Sequence, residues 1–327
     1  MNRRGTIVSK IDFKIRKFNK TEIPVVAKLL ESAWEAKANP ITSDRWINWL
    51  EKLDCDFPPF SISAIIKNKL VGWILLFKHS PTEVEINPWA LGGHPITLLE
   101  YDSSFEISKL LLDEATSFTK KEGFRKVEIL FHIDEKTIGD YEKLYQEKKF
   151  TLLDSTNHMR KLIPELNEET DTFSNNFEIK TVSTTDQEDL ISCYIDTFIE
   201  SNDPWLKEKT KDELREYFKN DLIGGPFNLI DEASLSISKE GKIIGFSFVK
   251  QSHGENNGNI LLIGVHPDFR RKKIGTGIFT HITESLRNSG YKTMSLNVSS
   301  FNVPAYQLYL KLGFEKSWTQ LNYVWKT

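Results

Sequence analysis

The chain has 327 residues, too many for one ordinary core and suited to two domains. Hydrophobic residues make up 39% and charged residues 27%, an ordinary globular mixture, and a net charge of −3 offers no broad footprint for nucleic acid or a membrane surface. The two cysteines, Cys55 and Cys193, show no C-x-x-C spacing, so neither a disulfide framework nor a zinc site is indicated and two unrelated buried thiols are expected.

Met1 to Ile11 is basic but has no apolar h-region, so no signal peptide is expected. No window approaches about 18 uninterrupted apolar residues, so no membrane span is expected and a cytoplasmic location is the default. A long helix is predicted over Phe105–Lys121. The run Asn87–Pro95 is turn-rich and reads as a surface connector or a functional loop. Pro164 to Asn176, PELNEETDTFSNN, is acidic, polar and nearly free of large apolar residues, so it reads as a linker.

Beyond it, Phe177–Val182 reads as a strand. Thr185 to Phe198 reads as a helix capped by Thr184 or Thr185, and Lys207 to Phe218 as a second helix. Ala233–Lys239 and Ile243–Lys250 flank Glu240-Gly241, a two-residue hairpin turn. Asn259–Val265 is a largely apolar run that suits a buried strand. Gly275 to Asn288 carries an apolar stripe at Ile278, Phe279, Ile282 and Leu286, the mark of an amphipathic helix. Met294–Val298 is another strand, Pro304–Lys311 a helix ended by Gly313, and Tyr323–Lys326 a strand that closes the sheet. Strands alternating with helices predict a mixed α/β fold.

The two halves echo each other. Phe13-Lys-Ile-Arg16 resembles Phe177-Glu-Ile-Lys180, and Leu144-Tyr145 with Phe150 matches Leu308-Tyr309 with Phe314 at the same offset. Lys69–Trp73 resembles Lys242–Phe246, and Gly123-Phe124 before Val127–Phe131 resembles Gly290-Tyr291 before Met294–Val298. Four matches in one order argue for a duplicated domain: residues 1–163 and 177–327, joined by the linker at 164–176.

The chemistry is expected at Val265-His-Pro-Asp-Phe-Arg270-Arg-Lys-Lys-Ile-Gly275-Thr-Gly277, where a buried strand runs through a basic loop into a long helix. The first turn of a helix has unpaired N–H groups and a partial positive charge, and small residues let phosphate oxygens approach them. Arg270, Arg271, Lys272 and Lys273 add full charge, and Ile274, Gly275 and Thr276 open the helix, so the loop reads as a diphosphate site or, alternatively, as a solvated basic cap. There is no G-x-x-x-x-G-K-[ST] run and no G-x-G-x-x-G fingerprint here, which argues against P-loop and Rossmann sites.

Arg270-x-x-Lys273-x-Gly275, placed after Val265-x-Pro267 and before the long helix, resembles the acetyl-CoA loop Q/R-x-x-G-x-G/A of the GNAT superfamily of N-acetyltransferases. Leu296-Asn-Val298, Asn302-x-x-Ala305, Leu308-Tyr309 and Gly313-Phe314 resemble the second block of that family, in order. The resemblance implies two tandem GNAT-like domains, each a mostly antiparallel twisted sheet flanked by helices. It also implies acetyl-CoA as co-substrate, no metal, and a primary amine on a small molecule or peptide as acceptor. Backbone groups of Ile263, Gly264 and Val265 would bond the pantetheine arm, Asn302 would lie near CoA, and Tyr309 would protonate the leaving thiolate. Tyr309 read without the family is an aromatic packing residue. The first glycine of the family loop is Lys273 here; a lysine still offers its N–H if its backbone is not left-handed.

Some family members carry a glutamate base where this chain has Asn259, which cannot take a proton. Glu255, His253 and His266 lie nearby, His266 reading as a surface or capping histidine, and no base is assigned. Acceptors in the family are recognised near Glu200–Trp205; Asp203 there would attract an amine, while Trp205 would stack on a substrate or anchor the loop. The matching loop of the first half, Leu98–Ser108, lacks glycine and basic residues, and Asp102 and Glu106 would repel a diphosphate, so that half is not expected to bind acyl-CoA and Tyr145 is expected to pack. The leading expectation is direct acetyl transfer with no covalent acyl-enzyme, by a monomer or homodimer without nucleic-acid or membrane partners. The alternatives are a non-catalytic CoA or metabolite module, or transfer of a longer acyl or aminoacyl group.

Overall fold

A computed structural model describes residues 12–17, 20–34, 42–52, 60–87, 94–98, 100–101, 105–133, 138–165, 177–199, 201, 203–207, 209–223, 228–252 and 256–327. The chain forms two compact units, one of residues 1–153 with 320–327 and one of residues 154–319. The spatial boundaries thus fall at 153/154 and 319/320. The linker expected at 164–176 lies almost wholly outside the described residues, at 166–176.

Unit 1 contains β1 (Asp12–Lys17), α1 (Ile23–Trp34), α2 (Ser43–Glu51), β2 (Phe60–Ile66), β3 (Lys69–Ser80), β4 (Glu83–Ile86), β5 (Ile96–Thr97), α3 (Glu106–Lys121), β6 (Lys126–Ile133) and α4 (Ile138–Glu147). Its main strands follow the order β1-β2-β3-β4-β6. β3 shows the two-residue period of a strand buried on both faces. Ile74 and Leu76 join Ile107, Leu111 and Leu112 of α3 in one core, whereas Trp73 and Leu75 meet Val26, Leu30 and Leu50 of α1 and α2 in another.

Unit 2 takes most of β7 (Thr151–Leu162), then β8 (Glu178–Thr181), α5 (Gln187–Phe198), α6 (Pro204–Lys207), α7 (Lys211–Tyr217), β9 (Leu235–Lys239), β10 (Lys242–Gln251), β11 (Asn257–Val265), α8 (Ile274–Asn288), β12 (Thr293–Ser299), α9 (Val303–Lys311) and the first residues of β13 (Glu315–Lys326). The strand order is β13-β7-β12-β11-β10-β9-β8. β11 and β12 pair in parallel, and the other registered pairs of this unit are antiparallel. The apolar stripe of α8, Ile274, Ile278, Ile282 and Leu286, fills one face against Ile260 and Leu296. The other face carries Leu190, Ile191 and Tyr194 of α5 against Phe246 and Phe248.

Three local expectations are corrected. The cap of α5 is Asp186, whose carboxylate accepts from the amides of Glu188 and Asp189 at 2.9 and 3.0 Å; Thr185 instead donates to the Thr181 carbonyl at 2.7 Å. The single helix expected over Lys207–Phe218 is divided, because Thr210 and Glu213 form a capping box that starts a new helix at Lys211. The last strand runs from Glu315 rather than Tyr323. The hairpin at Glu240-Gly241 has the turn expected of it, with φ of 52° and 79° at its two residues. No described helix is long and apolar enough to cross a membrane.

Candidate active site

The site begins where β11 and β12 part. Their parallel register runs from Asn257↔Thr293 to Ile260↔Leu296 and then stops, while β11 continues to Val265 against β10. A bulge marks the same place: Phe248 pairs Leu262 and Val249 pairs Ile260, which leaves Leu261 over. Residues 261–265 are therefore a strand edge without β12 beside it. The His266 amide donates to the Ile244 carbonyl at 2.9 Å, so alternation turns the peptide groups of Leu262 and Gly264 toward β10 and those of Ile263 and Val265 toward the gap. Gly264 is required by packing, since a Cβ there would lie 2.5 Å from Cζ of Phe246.

The loop after β11 is held by its own cations. His266 caps a short 3-10 turn, Pro267–Phe269, its Nδ1 accepting from the Asp268 amide at 3.3 Å. Arg270 donates from Nε to the Val265 carbonyl at 3.1 Å and from a terminal nitrogen to the Thr197 carbonyl, near the end of α5, at 2.8 Å. Cations are favoured at helix C-termini, so Arg270 ties the loop to both elements. Lys272 donates to the Asp268 carbonyl at 2.9 Å and lies 5.0 Å from the centre of the Phe269 ring. Arg271 is exposed and makes no hydrogen bond or ion pair among the described residues.

Lys273 is the N-cap of α8 with φ 62° and ψ 5°, a left-handed conformation. The lysine therefore occupies a backbone geometry that glycine adopts without strain, contrary to the condition set by the sequence, and holding it there costs ~1–2 kcal/mol. No side chain caps α8. Its first intrahelical bond is donated by Gly277 to the Lys273 carbonyl at 3.0 Å, so the amides of Ile274, Gly275 and Thr276 precede the ladder. A Cβ on Gly275 would meet only Leu308 at 3.7 Å and Val265 at 4.0 Å, ordinary contacts. Packing alone does not demand glycine there.

α9 supplies the opposite wall. Asn302 caps it, Oδ1 accepting from the Ala305 amide at 3.3 Å. Tyr309 is 7% exposed and packs edge-on to Phe279 at 5.5 Å and against Phe314 at 6.0 Å. Burial pushes its phenol up to about 12, which keeps it protonated at neutral pH. Its hydroxyl has no hydrogen-bond partner among the described residues.

These walls enclose a cleft of about 760 Å³. Of the residues singled out from sequence, Ile263, Gly264, Val265, Arg270, Arg271, Lys273, Ile274, Gly275, Thr276, Asn302 and Tyr309 line it together; Lys272 does not. Asn259 is also absent from the lining, since its amide is bonded to Ser295 Oγ at 3.0 Å on the paired part of β11. His253 and Glu255 lie outside the described residues, as does the side chain of Trp205. Among the described lining residues there is no histidine or carboxylate. Sequence reasoning singled out Ser201 with the Glu200–Trp205 loop but missed Thr197 and Phe198, which enter the cleft from the end of α5. Only proximity to the Glu200–Trp205 loop hinted at them.

The counterpart in unit 1 is built differently. β4 pairs β6 in parallel from Glu83↔Lys126 to Ile86↔Ile129 and ends there. Asn87 then bonds Leu75 through both its amide (2.8 Å) and Oδ1 (2.6 Å), and its Nδ2 donates to the His94 carbonyl at 2.7 Å. Phe105 caps α3 with φ 58°, the conformation of Lys273, and its ring meets Tyr141 at 5.2 Å. Tyr141, His94, Phe131 and Tyr145 continue an aromatic cluster between α3 and α4. Tyr145 is fully buried and its hydroxyl has no hydrogen-bond partner among the described residues. Asp102 lies outside the described residues, and Glu106 pairs with Lys109 at 3.4 Å.

A parallel strand pair that splays beside an uncapped helix start, repeated in degenerate form, defines the class as a tandem GNAT fold. The comparisons agree. Residues 194–314 match the model of the acetyltransferase (GNAT) family. Mycothiol acetyltransferase of Stackebrandtia nassauensis is 34% identical over 87 residues, 26% of this chain and 28% of that protein. The [ribosomal protein bS18]-alanine N-acetyltransferase of Salmonella typhimurium is 36% identical over 61 residues, 19% of this chain and 41% of that protein. A tandem GNAT protein from the clavulanic acid biosynthesis pathway superposes with a TM-score of 0.61 at 12% identity, covering 96% of this chain and 98% of that one. Residues 194–314, just over a third of the chain, thus carry the GNAT family match, and the chain as a whole shares the tandem GNAT fold. Its aligned segment spans between a quarter and a half of the length of the two curated relatives.

Proposed function

We propose that unit 2 binds acetyl-CoA and passes the acetyl group to a primary amine by direct attack, and that unit 1 does not bind acyl-CoA. One observation carries the reading: the open edge of β11 runs through a cationic loop into the uncapped amides of Ile274, Gly275 and Thr276. Those amides and Arg271 suit a diphosphate, and the peptide groups of Ile263 and Val265 suit an amide-bearing arm laid along them as an added strand. The family match and the names of the curated relatives support acetyl transfer.

In the reaction, the amine lone pair attacks the thioester carbon and the carbon–sulfur bond breaks. Tyr309 donates its proton to the departing sulfur, and the ammonium formed by attack returns one to the phenolate through water. Without a carboxylate or imidazole on the described walls, the amine must arrive already deprotonated or lose its proton to solvent. Holding amine and thioester in one cleft supplies most of the rate, on the order of 7 kcal/mol of barrier. Isothermal titration of the full chain with acetyl-CoA tests the reading: micromolar binding is expected, and none at millimolar ligand sinks it.

The lack of a histidine or carboxylate among the described lining residues and the strained Lys273 favour a second reading, a module that binds CoA without turnover. Binding with no thiol release across a panel of amines would select it.

A further inference from the structure

The acceptor has to reach the thioester from one face of the unit 2 sheet, because the other is filled. Ile260, Met294, Leu296 and Val298 are buried there with Ile278, Ile282 and Tyr309. On the opposite face α5 covers β10 and β11, where Phe246, Phe248 and Leu262 meet it. Further along that face the register sets every second residue of β11, β12 and β7 side by side: Asn259 beside Ser295, Ser295 beside Arg160, and Asn297 beside His158. Leu296 is the last β12 residue paired with β11, so Asn297 is the first beyond the point where the strands part.

This strip is polar and aromatic. Ser295 Oγ accepts from both Asn257 and Asn259, at 2.8 and 3.0 Å, which fixes Asn259 with its own carbonyl oxygen unused. Asn297 is exposed and has no side-chain bond among the described residues. His158 stacks on Trp318, ring centroids 4.5 Å apart and planes 3° from parallel. The described carboxylate in this strip, Asp154, is consumed by the Ser155 amide and by the hydroxyls of Thr156 and Ser299, at 2.7, 2.8 and 2.6 Å. Among the described residues of the strip, a polyamine or a lysine-rich peptide would find no available carboxylate. A purely apolar amine would strand the amides of Asn259 and Asn297 without partners.

Resting on the acetyl-transfer reading above, we propose that this strip is the acceptor platform and that the acceptor is an amino sugar. The two asparagine amides bond ring hydroxyls as donors and acceptors. The Trp318–His158 stack gives the C–H face of the ring a flat apolar surface. The amine is thereby held at the mouth of the gap between β11 and β12.

The test uses the full chain with acetyl-CoA and four amines: D-glucosamine, cyclohexylamine as its ring without hydroxyls, spermidine, and an alanine-initiated peptide. Thiol release is expressed per free amine. Glucosamine is expected to exceed the other three in kcat/KM by at least ~10-fold, since a site built for hydroxyls rejects the analogue lacking them. Asn297→Ala, at an exposed position, and Trp318→Ala are each expected to lower glucosamine kcat/KM by ~10-fold with the acetyl-CoA dissociation constant unchanged. Cyclohexylamine, spermidine or peptide matching glucosamine overturns the inference. So does an unchanged rate in both variants, or no glucosamine turnover while acetyl-CoA binds; the transferase reading survives the first two results. Failure of the wild type to bind acetyl-CoA overturns both.

Discussion

Two helix starts in this chain share a backbone and differ in everything placed around it. α8 follows β11, and α3 follows β4 and the short β5; β11 and β4 each pair in parallel with the strand after the helix, and each helix opens on a left-handed non-glycine cap, Lys273 or Phe105. In unit 2 the strand runs five residues past its last parallel pair, so peptide groups remain along an open edge. In unit 1 the strand ends with its last pair, and Asn87 closes onto Leu75. Where Lys273 borders a cleft, Phe105 begins a cluster of aromatic rings. On the reading proposed above, a duplicated fold loses a ligand site by shortening one strand and filling one gap while keeping the framework.

The sharpest way to break this comparison is at the two matching tyrosines. Tyr309→Phe is expected to lower kcat by ~100-fold or more with acetyl-CoA affinity intact. Tyr145→Phe should leave turnover unchanged and be neutral or mildly stabilising in urea unfolding, because it removes a buried hydroxyl that has no partner among the described residues. Equal effects of the two would end the assignment of separate roles. Next, Gly275→Val should weaken acetyl-CoA in calorimetry by ~30-fold, about 2 kcal/mol. The added Cβ is tolerated by Leu308 and Val265, so the melting temperature should hold; unchanged affinity would remove that loop from the site.

The caps should then respond with opposite signs. Phe105→Gly is expected to destabilise by ~2 kcal/mol through lost ring packing. Lys273→Gly should stabilise by ~1 kcal/mol by relieving the left-handed cap, as read from chemical denaturation. The smallest effect is alkaline. Burial raises the folded phenol of Tyr309 from 10.0 to about 12, so the stability tied to its proton is complete below pH 10 and is lost as pH rises toward about 12. Urea midpoints measured across that window should fall, and fall less in Tyr309→Phe.

Much of the site could be read from the residues alone, because the helix start, the strand before it and the turn at Glu240-Gly241 are written in neighbours two to four positions apart. Local pattern also led to the wrong cap for α5, where three adjacent residues could all serve and only Asp186 reaches two amides. The charges of the loop were legible, but their directions were not. Arg270 and Lys272 spend themselves on carbonyls, and Arg271 is the exposed one of the three with no hydrogen bond or ion pair among the described residues.

By itself, then, the sequence determined most of the helices and strands and the place where a basic loop meets the start of a long helix. Tertiary structure alone decided that residues 154–162 join the second unit and 320–327 the first, that β11 and β12 part after Ile260, and that Lys273 bends left-handed. The reason is physical: propensity and periodicity act over one turn or a few pleats, whereas a strand's partner, the end of its register and the conformation of a loop are chosen by residues far away in the chain.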